Sequence, residues 1–407
     1  MRSDKDGYYS EEDFEKEFEG QLSDLGEEPK RGTKKKRKGS NAGKKKGKNK
    51  KKRNRKKTVI IVLICFILLI LAGVAMGYSF LMNKFDKVDQ VELEVGDLDI
   101  DPKVSEDLKN YRNIAILAID SRAAYDEDPE TARTDGIIIA SINKKTKEVK
   151  MASVYRDSYL DVEEAGKHVI DKVNHAHAYG GPTNTLRAIN RNLDLNVQEF
   201  IRMDWMTVAN VTDSMGGLEV EVTEATRKEL NHIITSSSRA LGVYQPADIQ
   251  EAGKQTLTGT QIVGFCRMRY TDGDDHRAGR MREVINASFD KAKKLKLSEL
   301  NETADLALSE IKTSISSKEL MSILLDLGSY KIGESIGWPY EFQGAMINGV
   351  SYDVPVTLKS NVVKLHEDLF GQEGYTPTQT VLDINERIKE KSGVYGNEGK
   401  TTKKTDQ

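Results

Sequence analysis

Thr58–Leu81 reads TVIIVLICFILLILAGVAMGYSFL, 24 consecutive residues without a charge. A helix of that length exceeds the roughly 30 Å hydrocarbon core of a bilayer, so the run is expected to span a membrane with some tilt. One span divides the rest of the chain between two compartments. Lys34–Lys57, directly before it, is rich in Lys, Arg, Gly and Asn with Ala42 as its single apolar residue, and a basic block flanking a span stays cytoplasmic. Everything after the span is therefore expected outside the cell membrane. A cleaved signal peptide fits less well, because the apolar run is longer than an h-region, starts near residue 58 and is followed by no small-x-small site.

Charge follows the same division. Met1–Lys57 carries 21 Lys and Arg against 11 Asp and Glu, while the whole chain stands at −2, so the part beyond the span is acidic. The basic run has no aromatic for base stacking and abuts anionic lipid, so it is expected to contact membrane lipids, with no nucleic acid as partner. Met1–Lys30 has Tyr8, Tyr9, Phe14 and Phe18 scattered among Asp, Glu and Gly, too little apolar surface to fold alone. The expected order is a disordered cytoplasmic tail over 1–57, acidic then polybasic, a transmembrane helix over 58–81, a linker over 82–109, a folded outer domain over 110–390 and a disordered tail over 391–407. Cys65 lies in the span and Cys266 is alone beyond it, which excludes an intrachain disulfide framework in the outer domain and makes Cys266 a small apolar residue.

Within the outer domain, Asn113–Ile119 and Gly136–Ile142 are short, nearly continuous apolar runs and Glu148–Val154 alternates. They predict three strands, the last two a hairpin around Asn143–Lys147. A helical stretch over Asn174–Asn192, interrupted at Gly180-Gly181-Pro182, precedes a strand near Gln198–Met203, a helix over Asp204–Met215 and a strand over Leu218–Val222. Helices follow over Thr258–Arg269, Arg277–Leu295 and Ser317–Leu327, with a late hairpin around Asn348-Gly349 and a packing segment over Val354–Phe370 and Tyr375–Ile388. This alternation predicts an α/β layered domain with helices on both sheet faces. His175 and His177 are two apart, on different sides of a helix, so a shared metal is not expected.

The chemistry concentrates at strand ends. The first strand runs into Asp120-Ser121-Arg122, the second is preceded by Arg133-Thr134-Asp135, and the third ends in Tyr155-Arg156-Asp157. Further on, Arg267 and Arg269 precede a Gly/Asp-rich loop, and Arg277 and Arg280 share a helical face after it. Any one of these arginines is by itself an ordinary surface residue. Together, guanidiniums at the open end of a sheet repel one another unless a multiply charged anion sits among them, and their fork suits phosphate or carboxylate oxygens. Two Asp among them suggest Mg2+ shared with phosphates.

The segments LAIDSR (Leu117–Arg122), RTDGIII (Arg133–Ile139), SVYRDSYL (Ser153–Leu160), KVNHAHAYGG (Lys172–Gly181) and LTGTQIVGFCRMRYTDGDDHRAGRMREVI (Leu257–Ile285), in this order, resemble the LytR-CpsA-Psr family of cell-envelope proteins. The resemblance covers about residues 110–295 and extends to the order of tail, span and outer domain. It implies a central mixed β-sheet and a Mg2+-dependent phosphotransferase that moves a glycopolymer from an undecaprenyl-pyrophosphate carrier onto peptidoglycan through a phosphodiester. Wall teichoic acid and capsule are the polymers it brings into question. Carried over by motif, Asp120, Asp135, Arg133 and Arg267 are the catalytic set, with Asp120 and Asp135 on the metal. Arg122, Arg156, Arg269 and Arg277 then join Arg133 and Arg267 on the pyrophosphate oxygens, Arg280 is a further contact, and Asp157 orients Arg156. The chain departs from the family's usual residues at Met281, where Gln is common, at Gly136, where Ser or Thr is common, and at Tyr155, where Pro is common.

An apolar tunnel for the lipid would be lined by the long strands and by helices such as Thr207–Met215 and Gln261–Phe265; ordinary core packing has the same sequence signature. A non-catalytic outer-face binder of polyprenyl pyrophosphate or anionic wall polymer would keep the arginines without needing Asp120 and Asp135. Transcriptional regulation is disfavoured, because the span places the folded domain where there is no DNA.

Overall fold

The computed structural model describes residues 88–120, 128–268 and 273–395. The expected cytoplasmic tail and span, together with Arg122 and Arg269, lie outside them. Among the described residues no helix is long and apolar enough to cross a membrane.

The chain enters through β1 (Asp89–Gln90) and α1 (Pro102–Asp107), whose start is set by Pro102 and by the Asp101 carboxylate accepting from the Lys103 and Val104 amides. β2 (Tyr111–Ile119), β3 (Thr134–Asn143) and β4 (Glu148–Val154) form an antiparallel meander. The hairpin β5 (Tyr159–Glu164) and β6 (Lys167–Lys172) leads to α2 (His175–Leu193), which breaks at Gly180 and at Gly181, whose φ of +64° favours glycine. Then come β7 (Glu199–Asp204), α3 (Trp205–Ser214), β8 (Leu218–Val222), α4 (Glu224–Leu241) and β9 (Gly253–Leu257), the last pairing back on β8. After them lie α5 (Gly259–Arg267), α6 (Gly273–Ala292), α7 (Leu297–Glu310), β10 (Lys312–Thr313), α8 (Ser317–Leu325) and β11 (Lys331–Trp338). The hairpin β12 (Phe342–Ile347) and β13 (Val350–Pro355) turns at Asn348-Gly349, both at positive φ as a two-residue hairpin turn requires. α9 (Leu358–Phe370) and α10 (Gln379–Ser392) complete the described chain.

Seven strands form one mixed sheet in the order β1-β10-β7-β2-β3-β4-β11, with β2 parallel to β7 and antiparallel to β3. β2 and β3 read as continuous apolar runs because both sheet faces are covered. On one face Ala115, Leu117, Ile137 and Ile139 pack with Leu186 and Ile189 of α2 and with Val362 and Leu365 of α9. On the other, Ile116, Ala118 and Ile138 pack with Trp205 and Ala209 of α3, Ile262 and Val263 of α5 and Met281 and Val284 of α6. This is the mixed α/β architecture expected, with helices on either side of a central sheet.

Two boundaries differ from expectation. The stretch read as linker over 82–109 holds Leu98, Val104 and Leu108, all essentially buried in the same core as Leu117. At the other end α10 runs to Ser392, Gly393 ends it with left-handed φ, and Val394 is buried, so packing passes residue 391. The β5–β6 hairpin, α4, β9, α7, β10 and β11 were not expected either. β11, with Gly333 and Gly337, has little intrinsic strand character and is held by parallel pairing to β4 across a bulge between Ile332 and Ser335.

Candidate functional site

Antiparallel pairing brings three chain segments to one end of the sheet. Ile119 pairs with Thr134 and Ile137 with Val154, so the residues beyond β2, before β3 and after β4 are neighbours in space although far apart in sequence. The ladder is irregular there: Ala118 pairs with Gly136 and Ile119 with Thr134, which leaves Asp135 as an extra, bulged residue. Bulges re-aim side chains. The Asp135 carboxylate receives Arg156 Nη1 at 2.5 Å on one oxygen and Arg277 Nη2 at 2.8 Å on the other. Asp120 is tied in through its amide, which donates to the Arg133 carbonyl at 2.9 Å. Asp157 faces Arg156 at 3.7 Å and Lys172 at 2.9 Å.

Asp120, Arg133, Asp135, Arg156 and Arg267 line a common open cavity of about 870 Å3. Five of the nine expected site residues are thus together. Arg277, 2% exposed, stands behind Asp135 and holds it, and Arg280 sends Nη2 to the Met268 carbonyl at 2.5 Å, tying α6 to the end of α5. Neither lines that cavity. Its far wall is α4, through His232, Ile233, Thr235, Ser236 and Arg239, none anticipated. A signal was present: polar residues at 232, 235, 236 and 239 fall on one helical face.

Behind the charged end, on the α3–α6 face of the sheet, lies an apolar cavity of about 280 Å3. Ile116, Ala118, Gly136 and Ile138 form its sheet side, and Trp205, Val208 and Val211 of α3 with Met281, Val284 and Ile285 of α6 its helical side. The expected tunnel helix near Thr207–Met215 does line it, whereas from α5 only Cys266 does; Ile262, Val263 and Phe265 pack in the core. Burial pushes the Cys266 thiol up to about 12, which keeps it protonated and unreactive. Gly136, Ile138 and Met281 also border a small cleft shared with Asp135, Arg156 and Arg277, so apolar and charged spaces meet at these three residues.

Gly136 and Met281 pack directly against each other. A Cβ on Gly136 would stand 2.8 Å from Met281 Sδ and 3.2 Å from Ala118 Cβ. Gly136→Ser is therefore expected to cost about 1–2 kcal/mol by overpacking, and Met281→Val in the same chain, which removes the Sδ that the new Cβ would meet, to offset part of that clash. Chemical denaturation of the four-member cycle measures this; additive single effects would show that the two positions are independent.

His177 is fully buried and its Nδ1 lies 2.8 Å from the Ala132 carbonyl, next to Arg133. Burial pushes its pKa down from 6.5 to about 4. The folded state keeps it neutral where the unfolded chain takes a proton, so its stabilisation is complete above pH 6.5 and declines as pH falls towards 4. His177→Phe is expected to flatten the loss of stability between pH 7 and 4.5, by at most about 3 kcal/mol. Urea midpoints at those two pH values test it, and an unchanged slope would be contrary. His366, also pushed down by burial, leaves a residual slope.

For a divalent cation the fit is partial. Among the described residues no group of three or more His, Cys, Asp or Glu could hold one, but Mg2+ commonly takes one or two carboxylates and completes its shell with phosphate oxygens and water. Asp120 lines the cavity. Both Asp135 oxygens are engaged by guanidiniums, so Asp135 could join a metal only if a phosphate took over Arg156 or Arg277.

A family model described as the LytR_cpsA_psr family matches residues 78–367. The chain is 29% identical over 283 residues, 68% of its length and 84% of the relative's, to the polyisoprenyl-teichoic acid–peptidoglycan teichoic acid transferase TagT of Bacillus subtilis. It is 27% identical to the corresponding transferase TagU of Enterococcus faecalis, covering 70% of this chain and 88% of that one. Among solved structures, protein gbs0355 of Streptococcus agalactiae superposes with a TM-score of 0.54 at 22% identity, over 69% of this chain and 92% of that one. TagV of Bacillus subtilis gives 0.51 at 21% identity, over 66% and 99%. These two likenesses concern the fold.

Proposed function

Because the chain belongs to the LytR_cpsA_psr family, we propose that it moves a glycopolymer from a polyprenyl-pyrophosphate carrier onto peptidoglycan through a phosphodiester bond. The observation that carries this reading is the convergence of Arg133, Arg156 and Arg267 with Asp120 and Asp135 in one cavity that borders an apolar one. A pyrophosphate-linked lipid has both halves of that chemistry. The names of the relatives TagT and TagU favour teichoic acid as the polymer and undecaprenyl as the carrier remains the simplest choice for a bacterial envelope lipid.

In this reading the first few isoprene units of the prenyl chain occupy the cavity between the sheet and α3–α6, and the pyrophosphate lies over the strand ends. A sugar hydroxyl of peptidoglycan attacks the glycan-bearing phosphorus, and polyprenyl phosphate departs. Arg133, Arg156 and Arg267 offset the charge that accumulates on the non-bridging and leaving oxygens, and Arg156, held by Asp135, needs little reorganisation during the step. Asp135 holds Arg156 and Arg277 at fixed angles. Mg2+, when bound through Asp120 and phosphate oxygens, with Asp135 after exchange of a guanidinium, would add charge neutralisation to the same oxygens. The outer domain would face the cell wall, with the basic tail on cytoplasmic lipid headgroups.

The test uses the full chain in detergent micelles, a short-chain polyprenyl-pyrophosphate-linked teichoic acid unit and peptidoglycan oligomers, with Mg2+ or EDTA. Expected is a peptidoglycan-linked product that requires the metal. Tight donor binding without product from teichoic acid or capsule-type donors would replace the transferase by a carrier-binding protein.

A further inference from the structure

Across the sheet from the apolar cavity, α2 begins with a built group of side chains that the site described above does not use. His175 Nδ1 lies 2.8 Å from one Asp171 oxygen, which also accepts the Tyr179 hydroxyl at 2.8 Å. The other oxygen accepts the Lys172 amide at 2.8 Å and the Tyr352 hydroxyl, from β13, at 3.2 Å. Four donors thus fix one carboxylate, more than is needed to pin the first turn of a helix to β6. His175 is 17% exposed and Tyr179 38%, so the group is open to a ligand's hydroxyl.

The position is as informative as the bonding. The Asn174 amide donates to the Arg156 carbonyl at 3.2 Å, and His177 holds the Ala132 carbonyl beside Arg133. Tyr179 lies near enough to Arg133 for that charge to act on its hydroxyl. The first turn of α2 therefore sits between two of the anion-binding segments, on the sheet face opposite the apolar cavity. In an in-line displacement the attacking and leaving oxygens occupy opposite sides of the phosphorus. With the prenyl phosphate leaving towards the α3–α6 face, the acceptor arrives from the α2 face.

Resting on the transferase reading, we propose that His175, oriented by Asp171, is the general base that takes the proton of the acceptor hydroxyl. The acceptor oxygen bonds to the glycan-bearing phosphorus as the bond from that phosphorus to the bridging oxygen breaks. The electron pair leaves with polyprenyl phosphate, and the hydroxyl proton passes to His175 Nε2 and then to water. Burial acts upward on Asp171, yet the bonds from His175, the Lys172 amide and Tyr179 hold it down at about 2. Ionised throughout the working range, it can only accept, which makes Nδ1 the donor and Nε2 the basic nitrogen. Asp171 and Lys172 on β6, Tyr179 on α2 and Tyr352 on β13 are the charged and titratable groups beside this ring; Tyr159 adjoins Tyr352 and Asp171, Asp157 pairs with Lys172, and Glu164 on β5 and Arg133 before β3 act on Tyr179.

The experiment compares wild type, His175→Gln and Asp171→Asn as full chains in micelles, following transfer from the short-chain donor between pH 5 and 8.5, donor binding without acceptor, and thermal melting. Expected for His175→Gln is a kcat about 100-fold lower, the range of general-base catalysis, with donor affinity within about twofold and the acid limb of the rate profile gone. Asp171→Asn should follow with a loss of about tenfold or more. A variant that keeps the acid limb, or whose loss is matched by equal losses of donor binding and melting temperature, reduces the pair to a structural pin and overturns the proposal. Full activity in His175→Gln overturns it as well. A wild type that binds donor and transfers nothing overturns both this and the reading beneath it.

Discussion

Arg267→Ala will lower kcat for transfer by about 10³-fold and leave stability within about 0.5 kcal/mol of wild type. Arg267 is the last residue of α5, half-buried on the rim of the charged cavity and supported by a helix whose start is fixed by a Thr258–Gln261 capping box. The helix does not depend on the guanidinium, so its removal subtracts charge stabilisation and little else. A loss concentrated in kcat shows that the group acts on charge developing in the transition state, whereas a rise in KM alone would make it a ground-state anchor. Arg267→Lys should recover only part of the rate, since an ammonium keeps the charge but not the planar fork. A variant equal to wild type in kcat/KM would remove Arg267 from the chemistry.

Asp135→Ala has the largest expected effect on stability. Its carboxylate is 5% exposed and faces Arg277 at 2% and Arg156 at 16%, so removing it takes a buried negative charge from between two guanidiniums. The cost should be about 3–5 kcal/mol. Asp135→Ala with Arg277→Met should recover much of that by replacing a buried ion pair with apolar packing, while transfer stays low because Arg156 loses its 2.5 Å carboxylate contact. Urea unfolding of the full chain in micelles, followed by near-ultraviolet circular dichroism, measures the first part, and product formation the second. A single variant as stable as wild type would mean that water reaches Arg277.

The strands that carry the site were legible because two apolar runs and one alternating segment are bounded by Asp120, Arg133 and Arg156, and an antiparallel meander has to place such ends side by side. That Arg277 supports Asp135 while Arg280 fastens α5 was not legible: both are arginines on one helical face, and only packing separates their partners. The α4 wall was hidden for another reason. Glu224–Leu241 includes Ile233-Ile234-Thr235 and three consecutive serines, which weaken helix propensity, and its buried face rests on widely spaced Leu230, Ile234 and Leu241. Residues 98–108 escaped because a core contribution of three residues, Leu98, Val104 and Leu108, makes no periodic pattern. His175 and His177 did diverge as their spacing required, one to Asp171 and the other to the Ala132 carbonyl.

The bulge at Asp135 sets the parity of the whole site. Side chains alternate along a strand, and one surplus residue reverses the alternation for everything that precedes it. Ala118 pairs with Gly136 and Ile119 with Thr134, so the bulge keeps Thr134 opposite Ile119; a regular ladder of the same sequence would put Asp135 in that place and turn Thr134 to the other face, while Gly136–Asn143 stayed in register. The site would be lost by a turn of half a strand period even with every arginine present. Where one surplus residue is inserted in β3 thus matters to the cavity as much as which charged residues the chain carries.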